Sequence, residues 1–587
     1  MNDLAILENQ PFSTEQKEYL QGFFAATACR PFAGHLPDGR LTSDPGSGLP
    51  NAAAETVFGT PLEDLCEQEV WKRERNGLDV WDTLVEHATA NKLPDKKNSF
   101  YFRFHGLFYV GPVQESFMLR LRVPGSELTS AQMRGLAEIA REWGGGYAHV
   151  TTRANLQIRE IAPKNILNVL NKLQELGLTA RGSGVDNLRN ITSSATAGID
   201  PAELLDTRPM AKALHYYILN NRDLYGLPRK FNISFDGGGS VGTVSETNDI
   251  GFVAVTVDKG GEVPPGVYFR VQLAGITGHE QFASDTGHVI RPADAVAVAA
   301  AIVRVFAENG DRTNRKKARL KYLIDKWGTD KFMEEVEKKL AFPLVRLPLV
   351  ACRAAHPPIP HGHIGVFRQK QPQRNYIGVV TPVGTLTARQ MGRLADLAQN
   401  HGSGTLRLTV WQNVLVPDIP DGFVETVKRH LARMGLSHQA SPIMGGLVAC
   451  TGNAGCKFSA TNTKAQAVEL ARHLEKKVPL DQPINIHLTG CPHSCAQHYI
   501  GDIGMVGVKV THHGEQVEGY HIVLGGRCVG GQTIAREVFH GIPFSEIPQL
   551  LEGVLRTYLA RRTHSTETFA QFTARHSVKE LQELFST

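Results

Sequence analysis

The chain has little cysteine, no long apolar run and almost no net charge, and each of these shortages excludes something. Eight cysteines in 587 residues are too few for the disulfide framework of a secreted scaffold. No apolar stretch approaches the ~18–20 residues that a membrane-spanning helix requires. The start MNDLAILENQPFSTEQKEYL lacks both the basic-then-apolar pattern of an export signal and the arginine-rich bias of a transit peptide. No membrane partner is expected, and the expected location is the cytoplasm. A net charge of +5 is far below what nucleic-acid binding demands, and it favours at most an acidic protein partner. Dinucleotide fingerprints are missing too: the GSG at Gly182 and the GGG at Gly237 do not form G-x-G-x-x-G after a strand, and both read as turns.

What is present is an ordinary globular composition, 42% hydrophobic and 21% charged, in a chain long enough for roughly three or four domains. It is also doubled. LTSAQMRGLAEIAREWGGGYAHVTTRANLQ from Leu128 matches LTARQMGRLADLAQNHGSGTLRLTVWQNVL from Leu386 at a constant offset of 258 residues, without a gap. Met133, Leu136, Ala137 and Ala140 mark one helix face, and Met391, Leu394, Ala395 and Ala398 repeat it; each is succeeded by a glycine stop and a strand. A second pair of segments repeats at offset 253: FNISFDGG from Phe231 with INIHLTGC from Ile484, and DIGFVAV from Asp249 with DIGMVGV from Asp502. Two modules in the same order predict a pseudo-twofold molecule with a site built between unlike halves. Around the repeats the reading predicts a helix over Ser13 to Ala26, a loop-rich surface extension through residue 100, a proline-rich linker at AAHPPIPHGH from Ala354, and helices in the last ~60 residues.

Four cysteines cluster as C-x5-C (Cys450, Cys456) and C-x3-C (Cys491, Cys495), separated by 34 residues. Four soft thiolates suit an iron–sulfur cluster or zinc. Zinc knuckles use two short C-x(2–4)-C pairs, and C-x5-C is too long for one. The glycine-rich loops TGNAG and GCP would also bring backbone N–H groups close to sulfur, which fits a cluster better. Only the second half has them: Thr192 stands opposite Cys450, and Gly238 opposite Cys491.

C-T-G-x-x-x-C together with T-G-C-P-x-x-C resembles the signature of the sirohaem-dependent nitrite and sulfite reductases, and the resemblance runs from Tyr101 to about Ser577. It implies an α+β fold, internally duplicated about a pseudo-twofold axis, with mixed sheets and ferredoxin-like half-domains. The implied divisions are an N-terminal extension (1–100), a first ferredoxin-like half-domain (101–175), a first sirohaem-binding domain without cysteine ligands (176–345), a second half-domain (346–435) and a second sirohaem and [4Fe-4S] domain (436–587). It further implies that Cys450, Cys456, Cys491 and Cys495 hold a [4Fe-4S] cluster, Cys495 also bridging to the sirohaem iron. His493 departs from the family's usual C-P-N-x-C. It keeps a donor beside the cofactor, alters the local hydrogen bonding, or is a tolerated polar replacement.

Sirohaem carries eight carboxylates and its substrates are anions, so both need a dense cationic site. The resemblance places Arg120, Arg189, Lys230 and Asn232 around the substrate. It places Arg122, Arg153, Gln157 and Arg159 against the macrocycle, and Arg315 and Lys317 of the DRTNRKKAR run on its carboxylates. Sulfite reductases generally read L-P-R-K-x-K where this chain reads LPRKFN, so neutral Asn232 replaces a lysine. Sulfite is largely dianionic near neutral pH and nitrite monoanionic, and three cations with an amide suit the smaller charge. Arg159 and the phrase GIDPAELLDTRP also resemble the nitrite branch. The expected activity is six-electron reduction of nitrite to ammonia by a monomeric, ferredoxin-dependent enzyme, with reduction of sulfite to sulfide as the alternative.

Overall fold

The computed structural model describes residues 55–258, 263–529 and 531–585. Leu107–Tyr109, Phe117–Arg120, Leu156–Ile161 and Tyr147–Val150 lie side by side in one sheet, and Gly365–Arg368, Arg374–Val379, Val414–Pro420 and Thr405–Leu408 repeat that order in a second. Each sheet is completed by a short strand from the other half. Thr385–Thr387 pairs with Tyr147–Val150, and Glu127–Thr129 pairs with Thr405–Leu408. The exchange is reciprocal: Ser130 N donates to Gly404 O and Ala388 N to Gly146 O, both at 2.8 Å.

The helices next to the exchanged strands, Ser130–Trp143 and Ala388–His401, each begin with a capping box, Thr129 with Gln132 and Thr387 with Gln390. They pack against each other. Met133, Leu136 and Ala140 of one, and Met391, Leu394 and Ala398 of the other, are fully buried, which stabilises by about 1.5–3 kcal/mol for each large side chain. The duplicated apolar stripe thus becomes the seam of the pseudo-twofold.

Two further sheets share a second topology. In the first half, Leu188–Ser193, Phe231–Asp236 and Ile250–Val257 run parallel, and Gly266–Leu273 and Ser284–Ile290 continue antiparallel. In the second half, Leu447–Ala449, Ile486–Thr489 and Ile503–His512 are the parallel set, with Glu515–Leu524 and Arg536–Pro543 antiparallel beyond them. The parallel strands read as near-continuous apolar runs because both faces are covered; on one of those faces the paired rings of Phe235 and Phe252 stack 4.8 Å apart.

Two expectations change on folding. The predicted helix over Ser13 to Ala26 and the glycine- and proline-rich stretch before residue 55 lie outside the described residues. The segment from there to residue 100 is not a loop-rich surface extension. Glu67–Glu74, Trp81–Thr89 and Lys96–Phe102 are helices, and Leu84, Phe100 and Phe102 sit in the main core. The proline-rich stretch does run between the halves, but it is docked: Ile359 N bonds Ser240 O at 3.0 Å, and Tyr376 Oη donates to Gly362 O at 3.0 Å. The C-terminal helices are Ile547–Arg561, Phe569–Ala574 and Val578–Phe585. No helix among the described residues is long and apolar enough to cross a membrane.

Candidate redox site between the halves

Cys450 sits directly after the strand Leu447–Ala449, and Cys491 comes one glycine after Ile486–Thr489. That glycine is required. Gly490 N donates to Cys450 Sγ at 3.2 Å, and a Cβ there would lie 1.7 Å from Ser459 Oγ. Burial pushes the Cys491 thiol up to about 11, with Cys495, Cys450 and Cys456 adding to the rise. Burial also raises Cys495, with Cys450 as the next cause, while Lys230 and Arg120 pull it down. The four thiols therefore share one electrostatic environment. Among the described residues, no three of these sulfurs lie within 4.8 Å of one another. A single zinc ion at ~2.3 Å from each sulfur would need separations of about 3.8 Å. The wider spacing, the soft donors and the N–H aimed at sulfur fit a polynuclear iron–sulfur cluster.

Both cysteine loops are held by residues of the first half. Arg159 donates to Thr451 Oγ1 at 2.8 Å and to Gly455 O at 3.1 Å. Gln114 Nε2 reaches Ala454 O at 3.1 Å, and Thr152 Oγ1 reaches Cys495 O at 3.0 Å. In the other direction, Gln497 Nε2 donates to Thr247 Oγ1 at 2.9 Å.

The first half contributes cations from the other end of its strands. Arg189 is the second residue of Leu188–Ser193, and Lys230 immediately precedes Phe231–Asp236. The starts of the first half's parallel strands thus face the ends of the second half's, where the cysteines are. Arg120, at the end of Phe117–Arg120, lies over the Phe108 ring at 4.3 Å. Each of these side chains keeps some surface open, yet lies deep enough for desolvation to dominate its charge. Burial pushes Arg120 down to about 10, against the pull of Cys495. It pushes Arg153 to about 10 as well, with Asp249 opposing. Arg189 is lowered well below the ordinary arginine range by burial and then by Arg120. Lys230 comes down to about 7 through burial and then Arg319.

Two buried carboxylates neutralise the surrounding cations and leave the central ones unpaired. Asp186 takes Arg315 in a bidentate pair at 2.6 and 2.7 Å, with Lys72 at 3.6 Å and Arg229 at 3.8 Å. Burial works to raise the Asp186 carboxyl, but Lys72, Arg315 and Arg229 outweigh it and hold it below the usual range. Asp249 accepts from Arg319 at 2.8 Å, from Asn232 N at 2.8 Å and from Asn232 Nδ2 at 3.2 Å. Among the described residues, Arg120, Arg189 and Lys230 have no carboxylate partner; Arg189 donates only to Ser183 O, at 2.6 Å. Buried like charges without counter-ions are costly. Such a cleft is a receptor for a polyanion, and a macrocycle with eight carboxylates plus an anionic substrate fits it.

The structure separates the sequence-derived candidates. Arg120, Arg153 and Lys230 converge beside Cys495, and Arg189 lies next to Arg120 and Lys230. Arg153 donates to Asn248 Oδ1. Arg122 does not join them: the strand ends at Arg120, and Arg122 turns into the interior, fully buried, donating to Leu188 O at 2.8 Å and His215 Nδ1 at 3.3 Å. Arg315 spends its guanidinium on Asp186, and Lys317 is exposed on a turn. Gln157 accepts from Arg159 at 3.4 Å, so this pair grips the cysteine loop. His493 Nδ1 lies 3.4 Å from Cys491 Sγ, and its ring meets Phe458 edge-on at 5.3 Å. Asn232 is beside Lys230, and its backbone N–H and one of its two Nδ2–H donors serve Asp249. Sequence reasoning missed Asp186, Asp249 and Lys464. Lys464 donates to Val383 O, and burial lowers it to about 7 with Cys450 opposing. Arg319 stood out only as one of five cations in the DRTNRKKAR run; nothing marked it as the partner of a carboxylate 70 residues away.

Comparison with known proteins accords with this geometry. The model of the nitrite and sulphite reductase 4Fe-4S domain matches residues 184–344 and 443–587. That of the nitrite/sulfite reductase ferredoxin-like half domain matches 111–176 and 367–434. The ferredoxin–nitrite reductase of Synechococcus elongatus is 35% identical over 507 residues, covering 84% of this chain and 96% of that protein. The assimilatory ferredoxin-dependent nitrite reductase of Haloferax mediterranei is 31% identical, over 86% and 91%. The structure of the Mycobacterium tuberculosis NirA protein superposes with a TM-score of 0.81 at 29% identity, over 88% of this chain and 97% of that one.

Proposed function

The chain belongs to the nitrite and sulphite reductase family, and from that premise we propose that it reduces nitrite to ammonia with six electrons from a ferredoxin. The observation that carries this reading is the convergence of Arg120 and Lys230 beside Cys495, with Arg189 next to both, none of the three having a carboxylate partner among the described residues. Cys450, Cys456, Cys491 and Cys495 would hold the [4Fe-4S] cluster, while Arg153 would meet the carboxylates of sirohaem. When bound, the two cofactors supply an iron that takes the anion and a path for single electrons.

The protein's own groups do the rest. Arg120 and Arg189 orient the two oxygens of nitrite and stabilise the negative charge that grows on them, a preorganised field that costs no rearrangement during reaction. Lys230, lowered to about 7 by burial, would give a proton from Nζ to an oxygen of the anion. One nitrite, six electrons and eight protons give ammonium and two waters. His493, its Nδ1 3.4 Å from Cys491 Sγ, would donate to that sulfur once it is a cluster thiolate and so favour the reduced, more negative cluster. An acidic ferredoxin suits the mild positive balance, and the enzyme works as a single chain in the cytoplasm. The test is stoichiometry with reduced methyl viologen: six viologens oxidised and one ammonium formed per nitrite. Release of nitric oxide or hydroxylamine as the main product would contradict the proposal.

A further inference from the structure

The outer strands of the second half's sheet carry a group of ligands that the redox site does not use. His521 lies on Glu515–Leu524, and Glu537 and His540 lie on the adjacent Arg536–Pro543. Residues three apart on a regular strand point to opposite faces, so Glu537 and His540 would not meet on an ideal ladder. This ladder is irregular. Its register shifts between Tyr520 and Ile522 and again between Ile522 and Val523, and Gly541 takes a left-handed φ of +64°. Bulges re-aim side chains in this way, and here the result is convergence. The rings of His521 and His540 are 4.0 Å apart, Glu537 Oε1 is 2.7 Å from His540 Nδ1 and 3.9 Å from His521 Nδ1, and one ligand atom of each residue lies within 4.8 Å of the others.

The hydrogen bonds indicate where the lone pairs are. His521 Nδ1 accepts from Gly541 N at 3.1 Å, so that nitrogen is unprotonated. A carboxylate only accepts, so without metal His540 Nδ1 donates to Glu537; a cation binding between Nδ1 and Oε1 takes the place of that proton, which leaves to solvent. Binding at His521 Nδ1 displaces one backbone bond, at a glycine. Two imidazoles and a carboxylate match borderline cations such as Zn²⁺, Ni²⁺ or Cu²⁺; Mg²⁺ and Ca²⁺ prefer all-oxygen sets. With the His540 side chain 79% exposed, solvent can fill the remaining coordination positions. The site stands apart from the cysteines: His521 pairs with Val506, which pairs with Thr489, so two strand spacings, about 10 Å, separate it from the start of the Cys491 loop.

We propose that His521, Glu537 and His540 form a surface site for a borderline divalent transition-metal ion, which staples the two outer strands across their irregular ladder. The test uses the full-length, cofactor-loaded enzyme after dialysis against EDTA, with its iron content checked so that the four cysteines are occupied. Titration with ZnCl2 by calorimetry should give one equivalent bound and a higher melting temperature, because a ligand of the folded state stabilises it. MgCl2 should give neither. His540→Ala and Glu537→Gln should each weaken binding at least about ten-fold. A double variant of His512 and His513, the other imidazole pair at 4.0 Å, should bind as the unmodified enzyme does. Absence of zinc binding, or binding that survives His540→Ala and disappears in the double variant, would overturn the proposal.

Discussion

Asn232 brings no charge to the cleft, and its backbone N–H and one Nδ2–H serve Asp249. Its part in anion choice is the charge it lacks. Asp249 is already bidentate with Arg319, so a lysine at this position would keep much of its charge for the ligand. Asn232→Lys is expected to raise the sulfite-to-nitrite ratio of kcat/KM at least about ten-fold, equivalent to ~1.4 kcal/mol; an unchanged ratio would remove Asn232 from the selection. The contact between His493 and Cys491 gives a second expectation. His493→Ala should move the cluster's midpoint potential downward in an EPR-monitored redox titration, and His493→Asn should move it less, because an amide can still donate. Residue-level chemistry was legible wherever type and spacing carry it, as for the cysteines. It was not legible where the partner is remote: Arg315 binds Asp186 from 129 residues away, and alternation alone cannot tell that the strand stops between Arg120 and Arg122.

The elements that matter most are the two cysteine loops and the first-half strand that holds them. Arg159 sits on Leu156–Ile161, buried, with bonds to Thr451 and Gly455. Arg159→Met keeps the side chain's bulk and removes both bonds. Purified protein should then contain less iron per chain while far-ultraviolet circular dichroism stays unchanged; full iron content would mean that the loop is held without Arg159. The duplicated helices could be read from their periodicity and capping residues, because both signals are local. The exchange of Glu127–Thr129 for Thr385–Thr387 could not, since three-residue edge strands have no sequence signature and their partners lie in the other half.

On the scale of the whole molecule, duplication explains why one site can hold both a reducible cluster and a charged substrate. The ends of one parallel strand set carry thiolates and the starts of its counterpart carry cations. Neither half alone builds the cleft. The division was visible in the sequence as cysteines confined to one copy, while the facing of strand ends against strand starts emerges only from the pseudo-twofold packing. With Asn232 where a lysine would add charge, the substrate end of this cleft is charged for a monoanion. The decisive measurement is kcat/KM for nitrite and for sulfite on one preparation, with reduced methyl viologen and at one pH. Nitrite should be the more efficient substrate, with ammonium as product; higher efficiency with sulfite would mean that the cleft is not built for the smaller charge.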